Sequence, residues 1–489
     1  MEFQTIVSIK PLLAVLVSGI SVALIVASGK YPNLREGWSF AAALVKFALI
    51  VSMLPLILSG AVVEYTVFTV LPGIELKFRV DPLGIFFALS ASFLWIIATA
   101  YSIGYMRSLN EHSQTRFFSC FAIALSSAIG VAFAANLFTL YLFYELLSVM
   151  TYPLVAHHED KDAWEGGKKY VVYLVGLAKV FLLAAIIMTY MITGTLDFQP
   201  GGIFTTEMPR LLVTLTYIFF LIGLAKAGMM PFHNWLPSAM VAPTPVSALL
   251  HAVAVVKVGV FSVVRIMLFV FGLDVMSYFG LGLPTALFAS FTVITASVIA
   301  LTKDDLKARL AYSTISQLSY VILGVALLTP SGVLGGILHI GNHAFSKVTL
   351  FFCAGSIFVA SHIKKISQMD GIAKKMPYTM AAFTIGALSM IGVPAVAGFT
   401  SKWYLVKGAL EAGNGTALVV LLTSTVLNAA YFLPIIFRAY FKEPSEDSHV
   451  RNVKEAPPFV IAPIMITAVI TVIVGVWPDF FLSIIERIK

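Results

Sequence analysis

Charge is what this sequence has least of. Only 11% of its 489 residues are charged, against 59% that are hydrophobic, whereas ordinary soluble proteins carry about 25% charged residues. That shortage leaves almost no length for a soluble domain. It points to an all-α integral membrane protein that is one polytopic domain from residue 1 to 489. Cysteine is scarcer still. Cys120 and Cys353 each lie within an apolar run, which excludes a disulfide framework, a CxxC iron–sulfur cluster and a cysteine metal site. There is no nucleotide-binding loop and no haem-attachment motif, so no cofactor is expected on this chain. The net charge of +8 is not a nucleic-acid signal, because the basic residues collect in the loops between apolar spans. The first apolar stretch, about Ile6 to Ser28, is long enough to span and has no small-residue cleavage site. It reads as a membrane helix and not as a cleaved leader.

A spanning helix needs about 20 mostly apolar residues, and on that measure the chain holds about fourteen spans, centred from Ser18 to Ala468. Two are interrupted: the seventh by Pro231 and Pro237, the twelfth by Gly392, Pro394 and Gly398. Broken helices persist at membrane depth only where protein or water satisfies the freed backbone groups. With the loops numbered by the helix they follow, seventeen Lys and Arg fall in the odd loops, from Lys30 to Lys454. Three fall in the even ones, namely Lys77, Arg79 and Arg210. The positive-inside rule puts the odd loops in the cytoplasm and both termini outside the cell membrane.

The two broken helices lie five spans apart, and each has a lysine near its break, Lys226 before Pro231 and Lys402 after Pro394. A five-helix unit repeated in tandem inserts upside down the second time, since five is odd. The parse is a first repeat over 115–272, a second, inverted repeat over 279–441, and flanking helices in 1–110 and 458–489. Many transporters use this plan and place their sites at interrupted helices near the midplane.

A charge at bilayer depth costs roughly 2.5–3.5 kcal/mol on insertion scales, so the ionisable residues inside the spans mark a route for ions or protons. Glu145 lies roughly nine residues, or about 14 Å, into its span. It is a charge partner for a lysine, or else a structural acid. Lys226 is too far from either helix end to snorkel and is the prime candidate for the switching group, the alternative being a lysine bonded to carbonyls freed at the Pro231 break. Lys257 and His251 share the eighth helix, about 120° apart around its axis, and so do not form one stripe. His339, His343 and Lys347 recur at i, i+4 and i+8. They line one helical face over about 12 Å, as a proton relay would. Zinc is the rival for two histidines at that spacing, but no acid follows His339 to complete HExxH, and no metal is expected there. Lys402 could end the relay or snorkel from the short second half of its helix. Lys179, deep in the sixth span, is an accessory position that either pairs with Glu145, serves an entry branch or forms a structural pair.

The stretch PFHNWLPSAMVAPTPVSALLHAVAVVKVG (231–259), with DLKARLAYSTISQLSYV (305–321) and HIGNHAFSKVTLFF (339–352), resembles the antiporter-like subunits shared by respiratory complex I, Mrp-type cation/proton antiporters and membrane-bound hydrogenase-related complexes. The resemblance covers most of the chain. It implies a half-channel on each side of the membrane joined by a line of lysines and histidines at the midplane. The fifth-helix glutamate would be Glu145 and the seventh-helix lysine Lys226, together the input switch. The eighth-helix lysine would be Lys257, the eleventh-helix group His339, His343 and Lys347, and the twelfth-helix output Lys402. APTPVSALLHA leans toward the large complex I and large Mrp subunits, but the sequence ends at Lys489 without their C-terminal extensions, so a compact stand-alone version is expected. Lys179 matches no family position.

The function expected is proton (or Na+/H+) translocation within a multisubunit membrane complex, with other membrane subunits as partners. The complex is either redox-driven, with its electrons travelling in other chains, or a non-redox Mrp-type antiporter. Gene neighbours would separate these two. A structural spacer with static charge pairs is the third reading.

Overall fold

The computed structural model describes residues 4–444, 450 and 453–488; Arg451, counted above among the odd-loop cations, and Lys489 lie outside them. The chain is mostly helical, and among the described residues eleven helices are long and apolar enough to cross a membrane. In chain order the principal helices are α1 (Lys10–Ala27), α2 (Pro32–Val51), α3 (Pro82–Ser108), α4 (Gln114–Ala132) and α5 (Leu137–Val155). They continue with α6 (Lys161–Thr193), α7 (Arg210–Gly223), α8 (Thr244–Phe271), α9 (Gly282–Thr302) and α10 (Leu306–Ala326). The last are α11 (Pro330–Ser361), α12 (Pro377–Ile391), α13 (Ala397–Glu411), α14 (Gly415–Phe441) and α15 (Pro458–Val476). Proline in the first turn opens α2, α3, α11, α12 and α15, where the missing N–H costs nothing. Side-chain caps fix other starts. Asp81 accepts from Gly84 N at 2.7 Å, Asn136 from Thr139 N at 2.8 Å and Asp305 from Ala308 N at 2.8 Å; each satisfies an N–H that the helix leaves without a partner.

The all-helical expectation needs one correction. Between α2 and α3 the chain forms an antiparallel hairpin, β2 (Ala61–Leu71) with β3 (Ile74–Val80), and β1 (Gln4–Val7) joins β2 in parallel to make a three-stranded sheet. The physical cause is in the sequence. AVVEYTVFTVL and IELKFRV are rich in β-branched and aromatic residues and flank Pro72–Gly73, with Gly73 at φ +79°, which is turn chemistry. Glu64 on β2 pairs with Lys77 Nζ at 2.8 Å and with Arg79, so two of the three even-loop cations already have a partner.

The loops sort into two sets. Arg35, in the first turn of α2, reaches Gln114 at 2.7 Å, and Arg116 at the start of α4 pairs with Glu159 and donates to His157 O at 3.2 Å, between α5 and α6. Lys307 donates to Ala242 O at 2.6 Å, Asp305 bridges to Lys365, and Arg438 pairs with Asp370 at 2.8 Å. All of these join odd loops to odd loops. Even loops likewise meet even loops: Arg79 donates to Phe198 O at 3.0 Å, Ile203 N to Val270 O at 2.7 Å and Arg210 to Phe279 O at 3.4 Å. Helix α8 is almost wholly buried, and α3 and α11 largely so. Tyr101 of α3 stacks on Phe352 of α11 and donates to its carbonyl at 2.9 Å.

Candidate functional site

Both breaks in the helical ladder lie where their freed backbone groups meet side chains. The first follows α7. A short turn carries Lys226 (Ala225–Ala227), Gly228 reverses the chain at φ +71°, and the indole of Trp235 donates to Ala225 O at 3.2 Å. The turn packs directly on α8 at Gly259, where an added Cβ would lie 2.3 Å from Ala227 N and from the Lys226 carbonyl carbon. The second break separates α12 from α13. Its freed carbonyls, Met390 O and Ile391 O, accept from Lys402 Nζ at 2.8 and 2.9 Å, and Asn428 of α14 also donates to Met390 O at 3.2 Å. Asn342 of α11 donates to Ala397 O at 2.6 Å. The lysine bonded to break carbonyls is therefore Lys402. Its ammonium turns inward to the break, and at 7% exposed it does not snorkel.

Lys226 is fully buried. Its Nζ donates to Tyr144 O at 2.7 Å and to Ser148 Oγ at 2.6 Å, and lies 3.1 Å from the Tyr144 ring centroid. The expected Glu145–Lys226 ion pair is not closed; among the described residues Glu145 makes no salt bridge. The reason is helical geometry. Tyr144 and Ser148 share one face of α5, four residues apart, while Glu145 lies to the side of it, about 100° from Tyr144 and about 60° from Ser148. Glu145 is half-buried, with Oε1 buried and without a hydrogen bond, and it remains within electrostatic reach of both Lys226 and Lys179. Lys179 is exposed on a stretch of wider π-type turns in α6, Ala178–Leu182, and also makes no ion pair among the described residues.

The central row is more tightly joined. Lys257 of α8 meets His343 of α11 at 2.7 Å, Nζ to Nδ1. One turn away, His339 shares hydrogen bonds with Ser401 Oγ at 2.8 Å and Gln317 Oε1 at 3.0 Å, and its ring centre lies 5.9 Å from that of His343. In the other direction Lys347 donates to Ser313 Oγ at 2.7 Å. Tyr431 joins Ser313 at 3.1 Å and donates to Asn428 Oδ1 at 2.5 Å, and Asn428 reaches Met390 O, the carbonyl that Lys402 holds. Two sets of contacts thus approach Lys402: His339 bonds Ser401, its neighbour in the chain, and a hydrogen-bonded line from Lys347 through Ser313, Tyr431 and Asn428 ends at Met390 O, which Lys402 also holds. His251 stands apart. It is fully buried, neither ring nitrogen is bonded, and it packs on Phe351 at 4.6 Å.

Several buried polar residues were not singled out from the sequence. Lys46 of α2 is fully buried, donating to Ser18 Oγ at 2.5 Å beneath Trp95. Arg265 of α8 forms a buried pair with Asp81, the cap of α3, with Nη2 to Oδ1 at 2.9 Å. Both were detectable by the signal that marked the other lysines, a cation inside an apolar run. The connecting hydroxyls and amides (Ser148, Ser313, Gln317, Ser401, Asn428 and Tyr431) carry no such signal, because neutral polar residues are common in spans and only packing selects these.

The comparisons with known proteins agree with this architecture. The family described as NADH:quinone oxidoreductase/Mrp antiporter, TM, matches residues 134–428, and the complex I chain 5 N-terminal family matches 72–118. NADH-quinone oxidoreductase subunit N of Desulforudis audaxviator is 33% identical over 84% of this chain and 83% of its own length. A probable K(+)/H(+) antiporter component of Rhizobium meliloti is 30% identical over 90% of this chain but only 44% of its own length. The chain likewise spans 64% of NAD(P)H-quinone oxidoreductase chain 5 of a Picosynechococcus strain. Among solved structures, a chain of the Mrp complex from Dietzia superposes with a TM-score of 0.88 at 22% identity, covering 98% of this chain and 97% of that one. A chain of the archaeal membrane-bound sulfane sulfur reductase gives 0.86 at 24% identity, with the same coverage; these two establish a shared fold. By sequence and by fold, this chain belongs to the NADH:quinone oxidoreductase/Mrp antiporter transmembrane family.

Proposed function

We propose that the chain is a proton-translocating subunit of a larger membrane complex, with Glu145, Lys226, Lys257, His251, His339, His343, Lys347 and Lys402 along the route and Lys179 as an accessory. The observation that carries this reading is the set of buried polar contacts between the α8–α11 pair and the second break: Lys257 on His343, His339 on Ser401 beside Lys402, and a hydrogen-bonded line from Lys347 through Ser313, Tyr431 and Asn428 to Met390 O, the carbonyl that Lys402 also holds. Static charge pairs, as in a spacer, need opposite charges in contact, and the central row holds lysines and histidines without a carboxylate. In this reading Lys226, held by two neutral oxygens, and Glu145, turned aside, form the open state of the input switch. Rotation of Glu145 toward Lys226 closes it, and water completes the gaps from Lys226 to Lys257 and from His343 to His339. His251 is the weakest member, since no hydrogen bond ties it to the row.

The same reading takes fourteen passes. The eleven long apolar helices are joined by the shorter α7, the more polar α10, and α12 with α13 as one broken span. The grouping of odd with odd and even with even loops supports that count, with inverted repeats over 115–272 and 279–441 and both termini outside. The parent complex is a redox-driven one in which partners carry the electrons. NADH-quinone oxidoreductase subunit N, a relative whose length this chain covers by 83%, favours it. An Mrp-type antiporter is the alternative, favoured by the Rhizobium relative.

The test is transport by the assembled complex in sealed vesicles. Lys226→Ala and Glu145→Ala should each lower ion-coupled activity by about a hundredfold or more, the range that a positioned proton carrier contributes. Normal transport by either variant, with assembly confirmed, removes the switch.

A further inference from the structure

Away from the buried row, on the odd-loop side, two loops bring together an acid and three histidines. Glu111 and His112 lie between α3 and α4, and His157 and His158 between α5 and α6. Ligand atoms of Glu111, His112 and His157 all lie within 4.8 Å of one another. His157 Nε2 is 3.7 Å and His158 Nδ1 3.8 Å from the same oxygen, Glu111 Oε2. These separations are too long for hydrogen bonds. They are close to the spacing of about 3.3 Å that two ligands adopt around a tetrahedral ion with bonds of about 2.0 Å.

His157 supplies the second observation. Its side chain is 0% exposed, it is directed at Glu111, and neither ring nitrogen has a hydrogen-bond partner. A buried polar group without a partner costs free energy, and a metal ion would remove that cost. Arg116 pairs with Glu159 and fixes the backbone of His157 through its carbonyl. Three imidazoles and one carboxylate form a borderline-soft N/O set that suits Zn2+ better than Mg2+ or Ca2+.

We propose that Glu111, His112, His157 and His158 form a binding site for a divalent transition-metal ion of the Zn2+ class, which ties the α3–α4 loop to the α5–α6 loop. The site is separate from the buried lysines, and its test does not depend on transport. The full-length protein, purified without a polyhistidine tag and stripped with chelator, is titrated with Zn2+. Bound metal is measured after gel filtration, and Co2+ is substituted to read the visible bands of a tetrahedral site. The wild type should retain one ion per chain. Glu111→Gln and His157→Asn should weaken binding by about tenfold or more, since losing even an outer-shell partner costs roughly 10–100-fold. His112 is exposed and His158 partly so, so His112→Ala and His158→Ala decide the matter should the His157 variant fail to fold. Zn2+ retention by these variants equal to the wild type's, or no retained ion in the wild type, overturns the site.

Discussion

Lys402 does two jobs with one ammonium. It caps the broken end of α12 through two carbonyls, and the polar contacts from His339 and from Lys347 both reach the residues beside it. The two sets separate at the hydroxyl of Ser401 and the phenol of Tyr431, and this makes them testable. Tyr431→Phe cuts the line through Lys347 and leaves Asn428 Oδ1 without its donor, a destabilisation of about 1–3 kcal/mol. Ser401→Ala cuts the contact from His339. If the two are parallel exits, each single variant keeps part of the proton flux in vesicles and the double variant loses nearly all of it. A double variant no slower than the slower single one would show that only one line conducts. Lys402→Met should stop both and also lower the unfolding temperature of the protein, because Ile391 O then loses its donor. Lys402→Gln, which can still donate to that carbonyl, should recover the stability without the flux.

At the scale of elements, the breaks decide where the charges go. Lys226 reaches Tyr144 and Ser148 because α7 ends at Gly223 and the turn after it lies flat on α8, an approach that only a residue without Cβ at position 259 permits. Gly259→Val therefore has to push the turn away from α8. Overpacking of this kind costs about 1–3 kcal/mol. The variant should show a lower unfolding midpoint and lose ion-coupled transport with every titratable residue still in place. Unimpaired transport would mean that the position of the turn does not set the path. Much of this level is legible in the sequence, and for a physical reason. Apolar length marks a span, proline and glycine mark its breaks, and a lysine amid Leu and Phe is conspicuous because burying it is costly. Orientation is not legible in the same way. The residues suggest that Glu145 and Lys226 touch, but α5 presents Tyr144 and Ser148 to the lysine, and no one-dimensional spacing says which face of a helix a neighbour uses. The sequence leaves Lys402 between relay and snorkel, whereas its carbonyl cap exists only once the break has folded. The hairpin at 61–80 hides as a mere connection between spans, though its β-branched run and Pro–Gly turn are there to be read.

For the whole molecule, the arrangement of loops carries the argument. Contacts run from odd loop to odd loop and from even loop to even loop, so the protein has one strongly basic face and one face with few cations. A charge bias of seventeen to three would mean little if loops from both sets mixed on one side; with the sets separated, the positive-inside rule predicts a cytoplasmic basic face. It also places the Glu111–His157 cluster on the basic face, and Glu207, before α7, on the other. Single cysteines test this directly. Glu207 and Lys374 are both exposed. Cys120 and Cys353 are half-buried and buried and are replaced by Ser first. In intact cells a membrane-impermeant maleimide should label Glu207→Cys and leave Lys374→Cys unlabelled until the membrane is opened. The reverse pattern would invert the topology, moving the termini and the Glu111–His157 cluster to opposite sides. Labelling of both positions in intact cells would mean that an even number of passes separates residues 207 and 374, where fourteen passes require an odd one, and that count would fall with it.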